Sequence, residues 1–372
     1  MTKRILFHGA PAQTSVTPVT PSDAALQATG HNTGNLLIGA ALQSQLEGDS
    51  QFFFALPSPE KAREEFDLIA IAASNFIFHG FDFGYLGNFI EKSGLPCVVV
   101  GLGAQARDRN MAIEVPEGTQ RFLKVASERT PLIGARGTFT AEVLDRMGIR
   151  NVQVVGCPSL YPLQPPPAMV MPDRLPPPGQ LVLNGSRNVV DHSFDRDTML
   201  AVERTVFHYA LKHDVDYVLQ SELPEILFHR GLGEAPRSQL ATVRRILDID
   251  PALSDDAFEL YLRRRGRTFF NVAEWAEFIR TKALSIGSRF HGNVMAMTNG
   301  IPAILIAHDT RTEEMAEHIG LPRFKPVPGK PFSLEGVLAE ATADIFNKIY
   351  PERRREYIEF LKRNDLANKL SH

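Results

Sequence analysis

The sequence predicts an α/β protein made of two Rossmann-like domains with parallel sheets, and three observations carry that expectation. Short apolar runs alternate with helical patterns along most of the 372 residues, as parallel sheets covered by helices on both faces require. A break near the middle, PLQPPPAMVMPDRLPPPG, holds eight prolines between Pro162 and Gly179, which rule out helix and interior strand and favour an extended connector. A chain of 41.3 kDa also exceeds the usual size of one hydrophobic core. The expected organisation is an N-terminal domain over residues 1–165, a linker over 166–179, a C-terminal domain over 180–345 and a closing helix over 346–372.

In chain order, the expected strands of the first half are Arg4 to Phe7, Phe52 to Ala55, Asp67 to Ala72, Cys97 to Gly101, Leu132 to Ala135 and Val152 to Val155. Asn35 to Leu46 and Thr138 to Met147 read as amphipathic helices between them. Three connections share one design: LGNFIEKSGLPCVVV, LDRMGIRNVQVV and MAMTNGIPAILI each close a helix with Gly, follow it with an apolar residue and enter a strand. Gly94, Gly148 and Gly300 fit the left-handed position that ends a helix. After the linker the strand in GQLVLNGS and the helix Asp195 to His213 open a second alternating run, continued by DYVLQ, ALSIG and AILIA. Glu222 to Arg267 departs from that alternation and reads as a helical insertion ending in RRRGR, either a patch for phosphate or lipid headgroups or a solvated charged face. YPERRREYIEFLKRND is an amphipathic helix with Tyr357, Phe360 and Leu361 on its apolar side.

Composition narrows the function classes. A formal net charge of −3 and a pI near 6.4 supply no general electrostatic reason to bind nucleic acid. Cys97 and Cys157 lie far apart, form no CxxC metal pair and read as reduced, buried residues of a cytoplasmic protein. No apolar stretch is long enough for a signal peptide core or a membrane span, so any membrane contact would be peripheral, at the inner face.

Chemistry concentrates where strands meet helices. In SIGSRFHGNVMAMTNGIPAILI, Arg289 and His291 stand between an apolar strand and the opening of a packed helix, a junction whose unsatisfied N–H groups and dipole suit an anion. Arg136 follows the strand Leu132 to Ala135 in the same way, and AHDTR places His308, Asp309 and Arg311 at the end of AILIA. All of these lie at carboxyl ends of expected strands, where a cleft between two doubly wound domains would gather them. Guanidinium forks bind carboxylate and phosphate bidentately, so Arg136, Arg289 and Arg311 around His291 fit a small, multiply charged anion. GLG in VVVGLGAQ lacks the full dinucleotide fingerprint, and no His pair has metal-ligand spacing. No metal and no cofactor are therefore expected.

Three stretches taken together, HNTGNLLIGAAL, GARGTFTAEVLDRMGIRNVQVVGCPSL and GSRFHGNVMAMTNGIPAILIAHDTR, resemble the polysaccharide pyruvyl transferase family from about Asn32 to Leu321. That family is similar in fold to two-domain glycosyltransferases of the GT-B type, which implies a GT-B-like arrangement with an interdomain cleft. The resemblance further implies transfer of pyruvate from phosphoenolpyruvate to sugar hydroxyls of a polysaccharide or lipid-linked oligosaccharide, forming a ketal and releasing phosphate. Arg136, Arg289, Arg311 and Gly292 would then hold phosphoenolpyruvate. His291 would supply a proton near neutral pH, and Glu225, with Glu222 beside it, stands where the family tends to place an acidic residue. The early aspartate of the family is Asn35 here, which leaves polar contacts from Asn32 and Asn35 to the acceptor. Cys157 occupies a turn where some members carry aspartate. The competing readings are a glycosyltransferase using a nucleotide sugar, for which no ribose-binding carboxylate stands out, and a non-catalytic sugar-binding protein. The oligomeric state does not follow from the sequence.

Overall fold

The computed structural model describes residues 3–53, 55–233 and 236–371, and the side chains of all of these except 188 and 189. Twelve strands among them form two six-stranded sheets, every adjacent pair parallel. The first sheet contains β1 (Arg4–His8), β2 (Asp49–Phe53), β3 (Leu68–Ala72), β4 (Cys97–Leu102), β5 (Ile133–Ala135) and β6 (Val152–Val154), in the order β2-β1-β3-β4-β5-β6. The second contains β7 (Leu181–Asn184), β8 (Asp216–Val218), β9 (Gly266–Arg267), β10 (Leu284–Gly287), β11 (Ala303–Ile306) and β12 (Arg323–Phe324), in the order β12-β11-β10-β7-β8-β9. The result is two Rossmann-like units, each a parallel six-stranded sheet with helices. The strand expected over Phe52 to Ala55 ends at Phe53, and Phe54 lies outside the described residues.

Local chemistry explains the elements. LIAIA in β3 and CVVVGL in β4 are buried at every position, as central strands with helices on both faces must be, whereas β2 at the sheet edge exposes its first three residues. The helix-to-strand turns after Met147 and Asn299 are Schellman motifs. Ile149 N–H bonds to the Leu144 carbonyl at 3.0 Å and Ile301 N–H to the Ala296 carbonyl at 3.0 Å, with Gly148 and Gly300 at φ of 81° and 77°, a conformation a Cβ disfavours.

The segment read as an insertion is the crossover between two strands. Helices Leu223–Arg230, Arg237–Leu247 and Asp255–Arg265 connect β8 to β9, and Leu240, Val243, Phe258 and Leu262 are buried in the core of the second domain. Its RRRGR end is a structural charge cluster: Arg264 and Arg265 pair with Asp214 at 2.7 and 2.6 Å, and Arg267 pairs with Asp216 at 2.7 Å. A phosphate patch would need those guanidiniums unpaired.

Two segments cross between the domains. Arg230 donates to the Thr17 carbonyl at 3.1 Å and to Ser22 Oγ at 3.1 Å, holding the helix Ser22–Gln27 against the second domain, whose core includes Leu26. The final helix, Asp344–Arg363, returns to the first: a Cβ on Gly134 in β5 would come within 3.0 Å of the Phe360 ring. Tyr357, Phe360 and Leu361 are fully buried, as the amphipathic pattern predicts. Among the described residues, no helix is long and apolar enough to cross a membrane.

Candidate active site

Counted within its own domain, the second sheet runs 3-2-1-4-5-6, so its strand order reverses between β7 and β10. Ligands of open α/β sheets bind in the crevice outside the strand ends at such a reversal. RFHG stands there. Arg289 is the N-cap of the helix Phe290–Thr298 that follows β10. Asn184, the last residue of β7, accepts the Arg289 N–H at 3.0 Å, and a Cβ on Gly292 would fall 2.9 Å from its Cγ. Beneath the turn, Asn293 accepts from Ser285 Oγ at 2.9 Å and donates to the Gly287 carbonyl at 2.9 Å. Asn184 and Asn293 are buried. Their part could not be read from the sequence, because each acts only once β7 and β10 are neighbours.

Around His291 the structure gathers Arg136, Arg289 and Arg311, and all three charges act on its imidazole. Burial first, then those guanidiniums in the order Arg136, Arg311, Arg289, hold its pKa well below the usual histidine range. The residue is only partly buried, yet its ring sits among enough protein and positive charge to be neutral at pH 7. This corrects the expectation of a proton donor ready near neutrality in the unliganded protein. Nε2 of His291 lies 3.7 Å from Cys157 Sγ, which also receives the Ser159 hydroxyl at 3.0 Å. Both cysteines are free and buried, as expected.

The three arginines are not equivalent. Arg289 directs Nη2 at Ser221 Oγ and the Glu222 carboxylate. Burial pushes the Glu222 carboxyl up, but the Arg289 charge and hydrogen bonds from Ser186 and Ser221 prevail and hold it at about 2. The Nε of Arg289 is buried and has no partner. Arg311 has the same feature: Nη2 stands 3.6 Å from Asp309 and Nε is buried without a partner. The side chains of Arg289 and Arg311 keep 13% and 24% of their surface exposed. Arg136 is 1% exposed, its Nε donating to the Gly101 carbonyl at 2.7 Å and its Nη2 to the Ala73 carbonyl at 3.3 Å. It therefore contributes charge to the site, without the open fork that the sequence reading assigned to it.

The helix that begins beside Arg136, Thr138–Arg146, is also closed to a ligand anion. Glu314 of the second domain accepts from Thr140 N–H at 3.1 Å and Thr140 Oγ1 at 2.7 Å. An internal carboxylate thus occupies the helix N-terminus where the sequence reading expects an anion to bind. Burial pushes the Glu314 carboxyl up to about 7, against the pull of those hydrogen bonds. Asp309 closes the next helix, Thr310–Ile319, through a capping box with Thr312, and accepts from Gln105 of the first domain at 2.9 Å.

The acidic candidates separate as well. Glu225 is locked to Arg187 by two bonds of 2.9 and 3.2 Å and is buried; Glu222 is the carboxylate that touches Arg289. Asn32 Oδ1 accepts from Gly34 N–H at 2.8 Å and from Gln220 Nε2 at 3.3 Å, tying the two domains together. Asn35 gives its Nδ2 to the Thr29 carbonyl at 3.0 Å and borders a separate cavity of 590 Å³. The helix Gly34–Gln45 begins against the site, since a Cβ on Gly34 would meet Gln220 Nε2 at 2.6 Å and His291 Cβ at 3.0 Å. Among the described residues, no group of three or more His, Cys, Asp or Glu comes together as a metal site would require.

The sequence model of the polysaccharide pyruvyl transferase family matches residues 32–310, a span that contains Asn32, Arg136, Arg289 and His291. The chain belongs to that family. Membership makes it a transferase acting on polysaccharide, and the matched span includes Asn32, the Cys157 turn and RFHG, which the fold brings to one place. No match was found among curated proteins. Among solved structures, this pyruvyl transferase family member is similar to a protein of Listeria monocytogenes assigned as a UDP-N-acetylglucosamine 2-epimerase, at 11% identity and a TM-score of 0.42, over 100% of this chain and 93% of the other. It is also similar to the glycosyltransferase SnogD of Streptomyces nogalater, at 14% identity and a TM-score of 0.34, over 97% of this chain and 96% of the other.

Proposed function

We propose that this protein transfers pyruvate from phosphoenolpyruvate to two hydroxyls of a sugar in a polysaccharide or its lipid-linked precursor, forming a ketal and releasing phosphate. One observation carries the reading. The Nε–H groups of Arg289 and Arg311 are buried without partners in a site whose positive charge depresses His291. Buried donors left unpaired are costly in folded proteins, so two of them on guanidiniums in one crevice support the reading that the crevice binds an anion. A molecule bearing a carboxylate and a phosphate supplies an acceptor for each.

Bound there, the donor's negative charge offsets the three guanidiniums and raises the imidazole of His291 toward its ordinary range. The ring then takes up a proton and delivers it to the methylene carbon of the enol. The first sugar hydroxyl adds to the carbon bearing phosphate and releases its proton, for which the imidazole, now neutral, is the acceptor. Phosphate leaves with the bonding pair of its C–O bond, stabilised by the arginines, and the second hydroxyl closes the ketal as its proton passes to the departing phosphate. Glu222 keeps Arg289 in position. No step needs a metal or a cofactor.

The deciding experiment measures phosphate release from phosphoenolpyruvate against a panel of lipid-linked and synthetic glycosides, with mass spectrometry of the acceptor. Phosphate release with formation of a pyruvate ketal on one acceptor supports the reading. Consumption of a UDP-sugar, with phosphoenolpyruvate inert against every acceptor, would replace it with glycosyl transfer.

A further inference from the structure

The first sheet has a strand-order reversal of its own, between β1 and β3, and the 590 Å³ cavity opens there. His8, Gly9 and Ala10 leave β1 on one side of it, and Ala72, Ser74 and Asn75 leave β3 on the other. Its outer wall is the stretch FIFHGFDFGY. Phe76 and Phe83 are stacked with centroids 4.0 Å apart, and Phe81 stands edge-on to Phe83 at 4.8 Å. Phe81 and Tyr85, the latter in the first turn of the helix Gly84–Ser93, remain 51% and 44% exposed, an unusual display of large rings on one short stretch.

We propose that this cavity is the acceptor subsite and that it takes a neutral pyranose ring, stacked by its C–H face on Phe81 and Tyr85. The proposal rests on the pyruvyl-transfer reading for its place in the reaction, but its chemistry is independent of that reading. Among the described residues lining the cavity, none is Asp, Glu, Lys or Arg, so it offers no guanidinium or ammonium charge to a phosphate or carboxylate. What it offers is aromatic surface with neutral hydrogen-bonding groups, the combination that matches a sugar, apolar on one face and hydroxylated at its rim. Asn75 Oδ1 is buried with no partner. Asn35 has committed its Nδ2 to the Thr29 and Gly30 carbonyls, which leaves Oδ1 as the acceptor it can present. Burial lowers the pKa of His8, and its two ring nitrogens contact the Phe53 carbonyl at 3.0 Å and Tyr85 Oη at 3.1 Å. The Phe53 carbonyl can only accept, so Nδ1 carries the proton and Nε2 receives the Tyr85 hydroxyl, which fixes the tyrosine ring as a platform.

The first turn of the helix Gly34–Gln45 joins the two sites. Gly34 packs on His291, and the next residue, Asn35, borders the cavity. The proposal thus places the acceptor one helical turn from His291. The anion and the neutral ring are thus taken at the strand-order reversals of opposite domains, each by residues suited to its charge.

The test is binding of neutral methyl glycosides of gluco, galacto, manno and N-acetylglucosamine configuration to the full chain, followed by saturation-transfer NMR without phosphoenolpyruvate. At least one should show transfer strongest to the protons of one ring face. That signal should fall at least tenfold in Phe81→Ala and Tyr85→Ala, persist in Arg289→Lys, and leave phosphoenolpyruvate affinity unchanged in the two aromatic variants. Absence of binding across all four configurations overturns the proposal, as does binding that survives both aromatic deletions. Binding of octyl glucoside with none of its methyl counterpart also overturns it, in favour of an apolar tail. Glycoside binding with this mutational profile in a protein that never releases phosphate from phosphoenolpyruvate would keep the subsite and remove the donor reading.

Discussion

Cys157 Sγ lies 3.7 Å from Nε2 of His291, across the boundary between the two domains. The charges that act on that imidazole are the guanidiniums of Arg136, Arg311 and Arg289, all of which lower its pKa. Cys157→Asp should raise the His291 pKa, because an adjacent anion favours imidazolium, and the high-pH limb of turnover should move to higher pH with it. Histidine C2–H resonances followed from pH 4 to 9 read this directly. An unchanged His291 titration in a folded variant would show that position 157 does not govern the ring.

Donor binding should be coupled to proton uptake. At pH 7.5 the free His291 is neutral, since its pKa is held far below the usual value by burial and the three arginines; the bound donor offsets that charge and pulls a proton onto the ring. Calorimetry of phosphoenolpyruvate binding in two buffers of different ionisation enthalpy should show uptake approaching one proton, lost in His291→Ala. Equal heats in both buffers for the unaltered protein would mean that the catalytic proton comes from elsewhere.

Arg289 and His291 should fail differently. His291→Ala removes the proton donor and leaves the anion contacts, so turnover should drop roughly 10²- to 10⁴-fold while donor affinity changes little. Arg289→Lys keeps a charge beside Glu222 and loses the Nε–H fork, so donor affinity should weaken about 10- to 100-fold. Arg289→Ala is the less informative change, because stranding the buried Glu222 carboxylate costs about 3–5 kcal/mol of stability. The assignment of the proton donor is falsified if folded His291→Ala keeps near-native turnover at saturating donor.

Stability should decline on mild acidification. Burial lowers His308 and His318 to about 4, against about 6.5 when unfolded. Above that value neither state is protonated and the groups contribute no pH dependence. Between about 6.5 and 4 the unfolded chain binds protons that the folded one refuses, so stability falls with pH. Melting temperature should drop by several degrees from pH 7 to pH 5, and less in His318→Gln.

Turnover should not require a divalent ion, because guanidiniums neutralise the donor. Assays in EDTA should match assays in magnesium; loss with EDTA and recovery with manganese or magnesium would favour a nucleotide-sugar donor.

What the sequence determined by itself was local. Strand and helix periodicities, the Gly148 and Gly300 turns and the Arg289–His291 junction depend on neighbours a few residues away, so their pattern is written along the chain. The three stretches that carry family membership were equally legible. Tertiary structure decided every partner. Arg136 looked free beside a helix N-terminus, but the neighbouring strand ends supply carbonyls at Gly101 and Ala73, and Glu314 from the other domain caps that helix. Glu225 looked like a free acidic residue of the site, but the fold places Arg187 against it. RRRGR looked like a surface patch until Asp214, at the end of the helix Arg196–His213, and Asp216 of the neighbouring strand came beside it. Asn184 and the aromatic cavity had no sequence signal, because each exists only at a strand-order reversal. Which strands become neighbours, and which face of one domain meets the other, follows from contacts hundreds of residues apart, and these set where a charge is paired, where it is buried and where it remains open to a ligand.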